Sequence, residues 1–414
     1  MRLIAPRINP RMNPRTNDVL RRAALPLLVW ALPAVAWIPV AASAQSAPPN
    51  APPSTSPNGA PVVTASQINV PHTRDADDLG RFLGGLPGNN GSPFAELEAN
   101  EAWQEHARQS DKAWNTYAHD RLPALSAFAR GEVGDLGKPQ ATLFYPFSGP
   151  DALTAMAFFP RVSAYVLVAL EPPGTLTGLS KFLKKDLAGE LTELRTTFDS
   201  LLRRSFFVTR QMDHQLRGQV TDGVLPLVLV ELVRTGNTVL GCEFLWVDES
   251  SHVLVRPAGQ KIHDWGFALD YRNDSDGSLH KMYYFSVNLA SDHLDKNPEF
   301  QQQMAALGPV VTYLKSTSYM LHRPEFSTIR DRILGMSMAV LQDDSGVPYK
   351  FFAPDKWNVQ LYGEYQQPYG SFRYMVEPEL KAAFQKPENV KKLDFRIGYG
   401  YGRAPSNLEL ARRK

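Results

Sequence analysis

Apolar positions along this chain change their period several times, and each change marks an element. Between Ala141 and Gly174 the stretch ATLFYPFSGPDALTAMAFFPRVSAYVLVALEPPG reads as strand, tight turn, short helix and strand, about the length that one βαβ unit requires. Thr142, Leu143, Phe144 and Tyr145 form a β-prone run that Pro146 stops, and Phe147-Ser148-Gly149 supplies a turn. Pro150 and Asp151 suit the first turn of a helix with Ser148 or Gly149 as its N-cap, and Pro160 ends it. The continuous apolar run 165–170 fits a central parallel strand covered on both faces, finishing on Glu171 before Pro172-Pro173-Gly174. Parallel strands bring Ser148 and Glu171 to one sheet edge, where open α/β sheets bind ligands.

Residues 75–130 read as helical, with Trp103, Ala107, Ser110, Trp114, Tyr117 and Ala118 on one face. His106 and His119 have no partner at ligand spacing and are expected at the surface. From Leu179 to Phe206 apolar residues recur almost wholly by threes and fours, which predicts a long amphipathic helix. The apolar run 224–233 contains Glu231 and is too short to cross a bilayer, and 239–247 reads as a buried strand. Segments 262–271 and 279–289 alternate as the strands of a hairpin. Its turn faintly resembles a calcium loop, but Arg272 stands where the first acid belongs. Residues 310–314 form a further strand leading to Lys315. Pro324 then opens a helix carrying Phe326, Ile329 and Ile333, and Gly335 closes it. The strand 336–341 runs into Gln342-Asp343-Asp344-Ser345-Gly346, and the tail from Asn358, tyrosines among glycines, suggests short edge strands. The predicted fold class is α/β: a mixed, largely parallel sheet flanked by helices, with a Rossmann-like βαβ at 141–170, a helical N-terminal segment and a hairpin-containing C-terminal half.

Composition adds an address. Six arginines, the uncharged apolar stretch 23–40 and Ala42-Ser43-Ala44 make residues 1–44 an export signal cleaved after Ala44. Lipid anchoring needs a cysteine at the processing site, and the only one is Cys242, expected to be a buried, inert thiol. The mature protein is therefore expected to be periplasmic or secreted, without lipid, membrane span or internal disulfide. Residues 45–70 form a Pro/Ser-rich tether with too little apolar surface to order, leaving 71–414 as a single domain. The full chain carries 44 basic and 42 acidic side chains. Without the leader's six Arg and one Asp the counts are 38 and 41, a net −3, which gives no electrostatic case for nucleic acid or an anionic membrane.

The strand ends after Tyr145, Leu170, Leu314 and Leu341 carry Ser148, Asp151, Glu171, Lys315, His322, Asp343 and Asp344, more polar groups than a structural sheet edge needs. Three readings compete. In the first, Tyr145, Asp151, Glu171 and Lys315 bind a small molecule or an envelope component. In the second, a hydrolase uses Ser148 as nucleophile, His322 as base and Asp343 or Asp344 as orienter, although Pro146 and Pro150 stand where a nucleophile elbow wants small residues. Paired acids could also bind a metal, but neighbours on an extended chain point to opposite sides, and D-D-S-G is ordinary turn chemistry. In the third, Glu171, 23 residues past Ser148, stands near the spacing of a ribose-binding acid. The glycine-rich loop is missing, so this is a decayed nucleotide site. Neither a cofactor nor a metal is expected.

The motifs FYPFSGPD, VALEPPG, TYLKSTSYMLH, LQDDSG and QLYGEY together resemble a family of exported bacterial proteins, many of them lipoproteins. The resemblance covers roughly residues 75–385. It implies export and one long domain, and nothing about catalysis.

Overall fold

The structure, a computed structural model, describes residues 70–178, 182–183, 186–204, 223–247, 253–255, 265–400 and 405–414. The expected leader and the tether up to residue 69 lie outside them. All described residues belong to one compact unit, Gly59–Lys414.

The described residues begin with helices α1 (Asp75–Gly84), α2 (Ala95–Glu98), α3 (Glu101–Asp120) and α4 (Leu122–Phe128). Strand β1 (Thr142–Pro146), helix α5 (Ala152–Phe158) and strand β2 (Ala164–Ala169) follow. Next come α6 (Leu187–Arg204), α7 (Leu225–Arg234), β3 (Asn237–Val247), β4 (Val253–Val255), β5 (Gly266–Asn273) and β6 (Leu279–Ser286). Then follow α8 (Ser291–Leu294), α9 (Pro298–Ala306), β7 (Val310–Leu314), α10 (Ser327–Met336), β8 (Ser337–Gln342) and β9 (Trp357–Gly363). Helix α11 (Pro378–Phe384), β10 (Val390–Lys391) and β11 (Asn407–Arg413) complete the described elements.

All eleven described strands join one sheet in the order β10-β9-β11-β8-β7-β1-β2-β6-β5-β3-β4. Its centre, β8-β7-β1-β2-β6, is wholly parallel, while β11 runs antiparallel to both β8 and β9, and β5 and β6 form the antiparallel hairpin. The α/β class read from the apolar periods is thus the class of the fold. Alternation along β1 divides the core. Leu143 and Tyr145 face an apolar layer shared with α1 and α5–α7, and Phe144 faces a second layer with α9 and α10. A strand covered on both faces has no polar side to show, which is why β2 is buried from end to end.

Several expectations need correction. The segment 75–130 is helical, as expected, and is divided into four α-helices; the first ends at Gly84, where Gly85 turns left-handed (φ 68°) and a Cβ would meet the Ala107 backbone at 2.8 Å. His106 is buried, hydrogen-bonded to the Leu83 carbonyl at 2.8 Å, and desolvation lowers its pKa to about 4. The long helix starts at Leu187; Leu179 and Phe206 lie outside the described residues. Helix α5 begins two residues later than Pro150 suggests, because Asp151 is its N-cap, Oδ1 accepting from the Thr154 amide at 3.2 Å. Strand β11 belongs to no edge: it inserts between β8 and β9, pairing with β9 from Asn407 to Arg413. Among the described residues no helix is long and apolar enough to cross a membrane.

Candidate functional site

From β1 the chain moves to β2 and β6 on one side and returns to β7 and β8 on the other, so the topological switch point lies between β1 and β7. A cleft of about 300 Å³ opens there, over the carboxyl ends of β1, β2, β6 and β7. Phe147, Leu170, Met320 and Phe326 supply apolar wall, with the two Phe rings edge to face at 5.9 Å. Glu171, Asn288, Ser148 and Ser318 supply polar groups. Leu170, the residue after β2, is 53% exposed, although the strand it follows is buried throughout. A wider hollow of about 640 Å³ lies between α3 and α6, walled by helix faces and not by strand ends.

The floor of the cleft is a buried charge network. Lys315, the residue after β7, places Nζ 2.5 Å from Asp151 Oδ2, with both side chains 2% exposed, and donates to Thr154 Oγ1 at 3.2 Å. Asp151 Oδ2 also accepts from the Tyr145 hydroxyl at 2.8 Å and from Thr154 Oγ1 at 2.5 Å. Burial, and then the Asp151 charge, pushes the Tyr145 hydroxyl well above its ordinary range, so it stays a donor. The remaining free amides at the start of α5 are occupied from below. Glu231 of α7, wholly buried, accepts from Ala152 at 2.8 Å and Leu153 at 3.0 Å through Oε2. Burial, reinforced by Asp151, holds its carboxyl well above the usual carboxylate range.

One wall is held in an unusual conformation. Among the described residues, four that are not glycine have positive φ: Phe147 (62°), Ser316 (53°), Ser318 (57°) and Tyr319 (53°). All four lie in the two loops flanking the switch point. Such conformations cost about 1–3 kcal/mol each and persist only where the surroundings impose them. For the loop after β7, which carries three of them, the residues that follow β8 impose the shape. Asp343 Oδ2 accepts from the Ser316 amide at 2.9 Å, Ser345 Oγ accepts from the Thr317 amide at 2.8 Å, and Asp344 Oδ2 accepts from the Tyr319 hydroxyl at 2.7 Å. Tyr399 adds a fourth clamp, its hydroxyl accepting from the Ser318 amide at 3.0 Å.

Behind that wall sits an acidic cluster, none of whose carboxylates lines the cleft itself. Asp343 and Asp344 meet Glu377, at the start of α11, and Glu409 of β11, and all four are buried. Burial raises each of them. Asp344 rises to about 7, helped by Asp343, and Glu377 to about 8. Glu409 goes well above its usual range through burial and then the Glu377 charge. His322 borders the cluster, Nε2 lying 3.7 Å from Glu377 Oε1, and burial depresses its pKa to about 4.

Of the residues singled out in the sequence, Tyr145, Ser148, Asp151, Glu171 and Lys315 line one cleft, whereas His322, Asp343 and Asp344 do not. Ser148 Oγ donates to the Gly149 carbonyl at 3.0 Å, with the Val168 carbonyl at 3.5 Å, so its hydroxyl is not directed to an imidazole. Asp343 and Asp344 bind loop groups and leave His322 without a carboxylate in hydrogen-bond range. Among the described residues no three His, Cys, Asp or Glu side chains could hold a metal ion. Cys242, expected to be buried, is half-buried in β3, and desolvation raises its thiol well above its ordinary range. Sequence reasoning missed Glu231, whose one signal was an acid inside an otherwise apolar run, and Phe147 and Phe326, which look like core residues in a linear reading. None of the family models, curated proteins or solved structures compared with this chain matches it.

Proposed function

We propose that this protein binds a small molecule in the cleft at the switch point of its sheet. The observation that carries this reading is the confinement of every described positive-φ residue other than glycine to the two loops flanking that cleft. A fold keeps strain where it has a use for the resulting shape, and here the shape is a mixed apolar and polar hollow over strand ends. Hydrolysis is not part of the proposal, because Ser148 and His322 belong to separate networks. Export through the Arg-rich leader of residues 1–44 completes the proposal and places the ligand outside the cytoplasm. Intact mass of the protein recovered from the native host tests it, with Gln45 as the expected first residue. The binding reading is tested by screening a metabolite library for thermal stabilisation of the wild type and of Ala290→Arg, which fills the cleft from the loop after β6. A ligand that stabilises the wild type and not the variant supports the reading; ligands that act equally on both overturn it.

A second reading, a nucleotide-binding fold that has lost its phosphate site, is favoured by one observation. Glu171 follows β2, the strand beside β1, which is where dinucleotide folds place the acid that binds ribose.

A further inference from the structure

The loop that walls the cleft is held from behind by acids. The Ser316 amide donates to Asp343 and the Tyr319 hydroxyl to Asp344, and both loop residues are left-handed, so the shape of the wall depends on those bonds. Tyr319 joins the two regions. Its ring packs on His322, Phe372 and Tyr399 at centroid distances of 5.1, 5.2 and 6.1 Å. Glu377 and Glu409 complete the acidic cluster, and among the described residues no Lys or Arg lies in ion-pair contact with any of the four. Other charges act at longer range. Lys315 acts on Asp343 from its ion pair with Asp151, Lys350 acts on Glu377 and His322, Arg330 acts on His322, and Glu379 adds a like charge beside Glu377.

Donors are shared unevenly among the acids. Asp343 accepts from the amides of Ser316 and Ser345 and from the Ser345 hydroxyl, whereas Glu409, wholly buried, has the Gln342 side-chain amide at 3.5 Å and an Oε1 without a hydrogen-bond partner. His322 is the second such group. Its side chain is 9% exposed, and Nε2, which has no hydrogen-bond partner, lies 3.7 Å from Glu377 Oε1. Unpartnered polar atoms facing buried carboxyls are places for protons, because a protonated carboxyl donates a hydrogen bond and an ionised one cannot. Once ionised, the carboxylates lower their desolvation cost only by separating or by admitting water. Glu409 is fixed by ladders to β8 and β9 on its two sides, and the Asp344 amide is tied to Asn407. The strained loop is the part that can yield. We propose that the acidic cluster is a proton-operated latch on the cleft wall, which holds the loop 316–319 while its carboxyls keep their protons and releases it when they ionise.

The latch works near neutrality. Burial, with Asp343 beside it, raises Asp344 to about 7, and burial raises Glu377 to about 8. His322, depressed by burial to about 4, stays uncharged across that window and supplies no compensating charge, and burial keeps the hydroxyls of Tyr319, Tyr349, Tyr365 and Tyr399 protonated there. Folded pKa values above the unfolded ones mean that the latch is closed at about pH 6 and loosens as pH rises through about 7 to 8. Amide hydrogen exchange on the full-length protein, corrected for the intrinsic rate and followed in low urea at about pH 6 and about pH 8.5, tests it. Protection of the Ser316, Thr317 and Ser318 amides is expected to fall by about tenfold or more between the two, without urea dependence, the mark of an opening that exposes little surface. The β7 amides should keep the urea dependence of global unfolding. Asp344→Asn combined with Glu377→Gln keeps the acceptors and cannot ionise, and is expected to hold the loop at the higher pH as firmly as the wild type does at the lower. Should that pair fail to fold, Asp344→Asn alone is expected to lessen the fall. Loop amides that exchange only together with β7, or a fall in protection that persists unchanged in these variants, overturn the proposal.

Discussion

Buried carboxylates gather beyond the ends of β1 and β8, the strands on either side of β7, and the two groups are handled in opposite ways. At the end of β1, Asp151 meets a cation, two hydroxyls and a backbone amide. At the end of β8, Asp343, Asp344, Glu377 and Glu409 crowd together with Ser, Tyr, Gln and backbone donors as their hydrogen-bond partners. Desolvation costs both groups, but only the first has a Lys or Arg in ion-pair contact, so burial raises the carboxyls of the second towards their protonated form. The contrast separates two tasks. The neutralised pair makes a rigid floor under an open cleft, and the acidic cluster braces the loop that forms the cleft's wall.

Removing the counterion should have the largest effect. Lys315→Met leaves Asp151 buried beside a methyl group, and we expect a loss of about 3–5 kcal/mol in urea unfolding. Adding Asp151→Asn to that variant should recover part of it. A single variant as stable as the wild type would mean that the pair is not coupled.

The acidic cluster should respond to pH in the reverse sense from an ordinary salt bridge. Asp344 has a folded pKa of about 7 against 3.8, and Glu377 of about 8 against 4.5. The folded state therefore holds more protons than the unfolded state between about pH 4 and 8, and stability falls as pH rises through that window. His322, depressed from 6.5 to about 4, works the other way: its contribution is present above pH 6.5 and lost as pH falls through 4. Asp344→Asn removes one of the acids and keeps an acceptor for Tyr319. It should stabilise the protein by about 1–3 kcal/mol at pH 8 and have little effect at pH 4. Equal effects at the two pH values would show that Asp344 does not titrate in this range.

The last of the three tests the bracing role. From its motif alone, Asp343 looks removable without loss of stability, like a residue of a binding site. Its hydrogen bonds to Ser316 and Ser345 revise that expectation. Asp343→Ala should cost about 1–3 kcal/mol and raise amide exchange at Ser316 more than at β7. Unchanged exchange there would remove Asp343 from the clamp.

Much of this was legible in the chain. Apolar runs bounded by Pro and Gly identify β1, β2, β7 and β8 because a strand covered on both faces cannot vary its polarity, and the hairpin of β5 and β6 announces itself through alternation around the turn Asn273-Asp274-Ser275-Asp276-Gly277. Those same boundaries placed Ser148, Asp151, Glu171 and Lys315 at one edge once the strands were taken as parallel. The sequence alone also specified an α/β class, which follows from local periodicity. Tertiary structure alone decided the partners. Nothing near Asp151 in the chain says that its cation comes from position 315, or that Glu231 fills the helix start below it. Nothing near Asp343 says that Glu377 and Glu409 will crowd it. Periodicity records which face of an element is apolar, a property of neighbours along the chain. Charge compensation and the insertion of β11 between β8 and β9 depend on which distant elements come to lie side by side, and that is fixed only when the whole sheet closes.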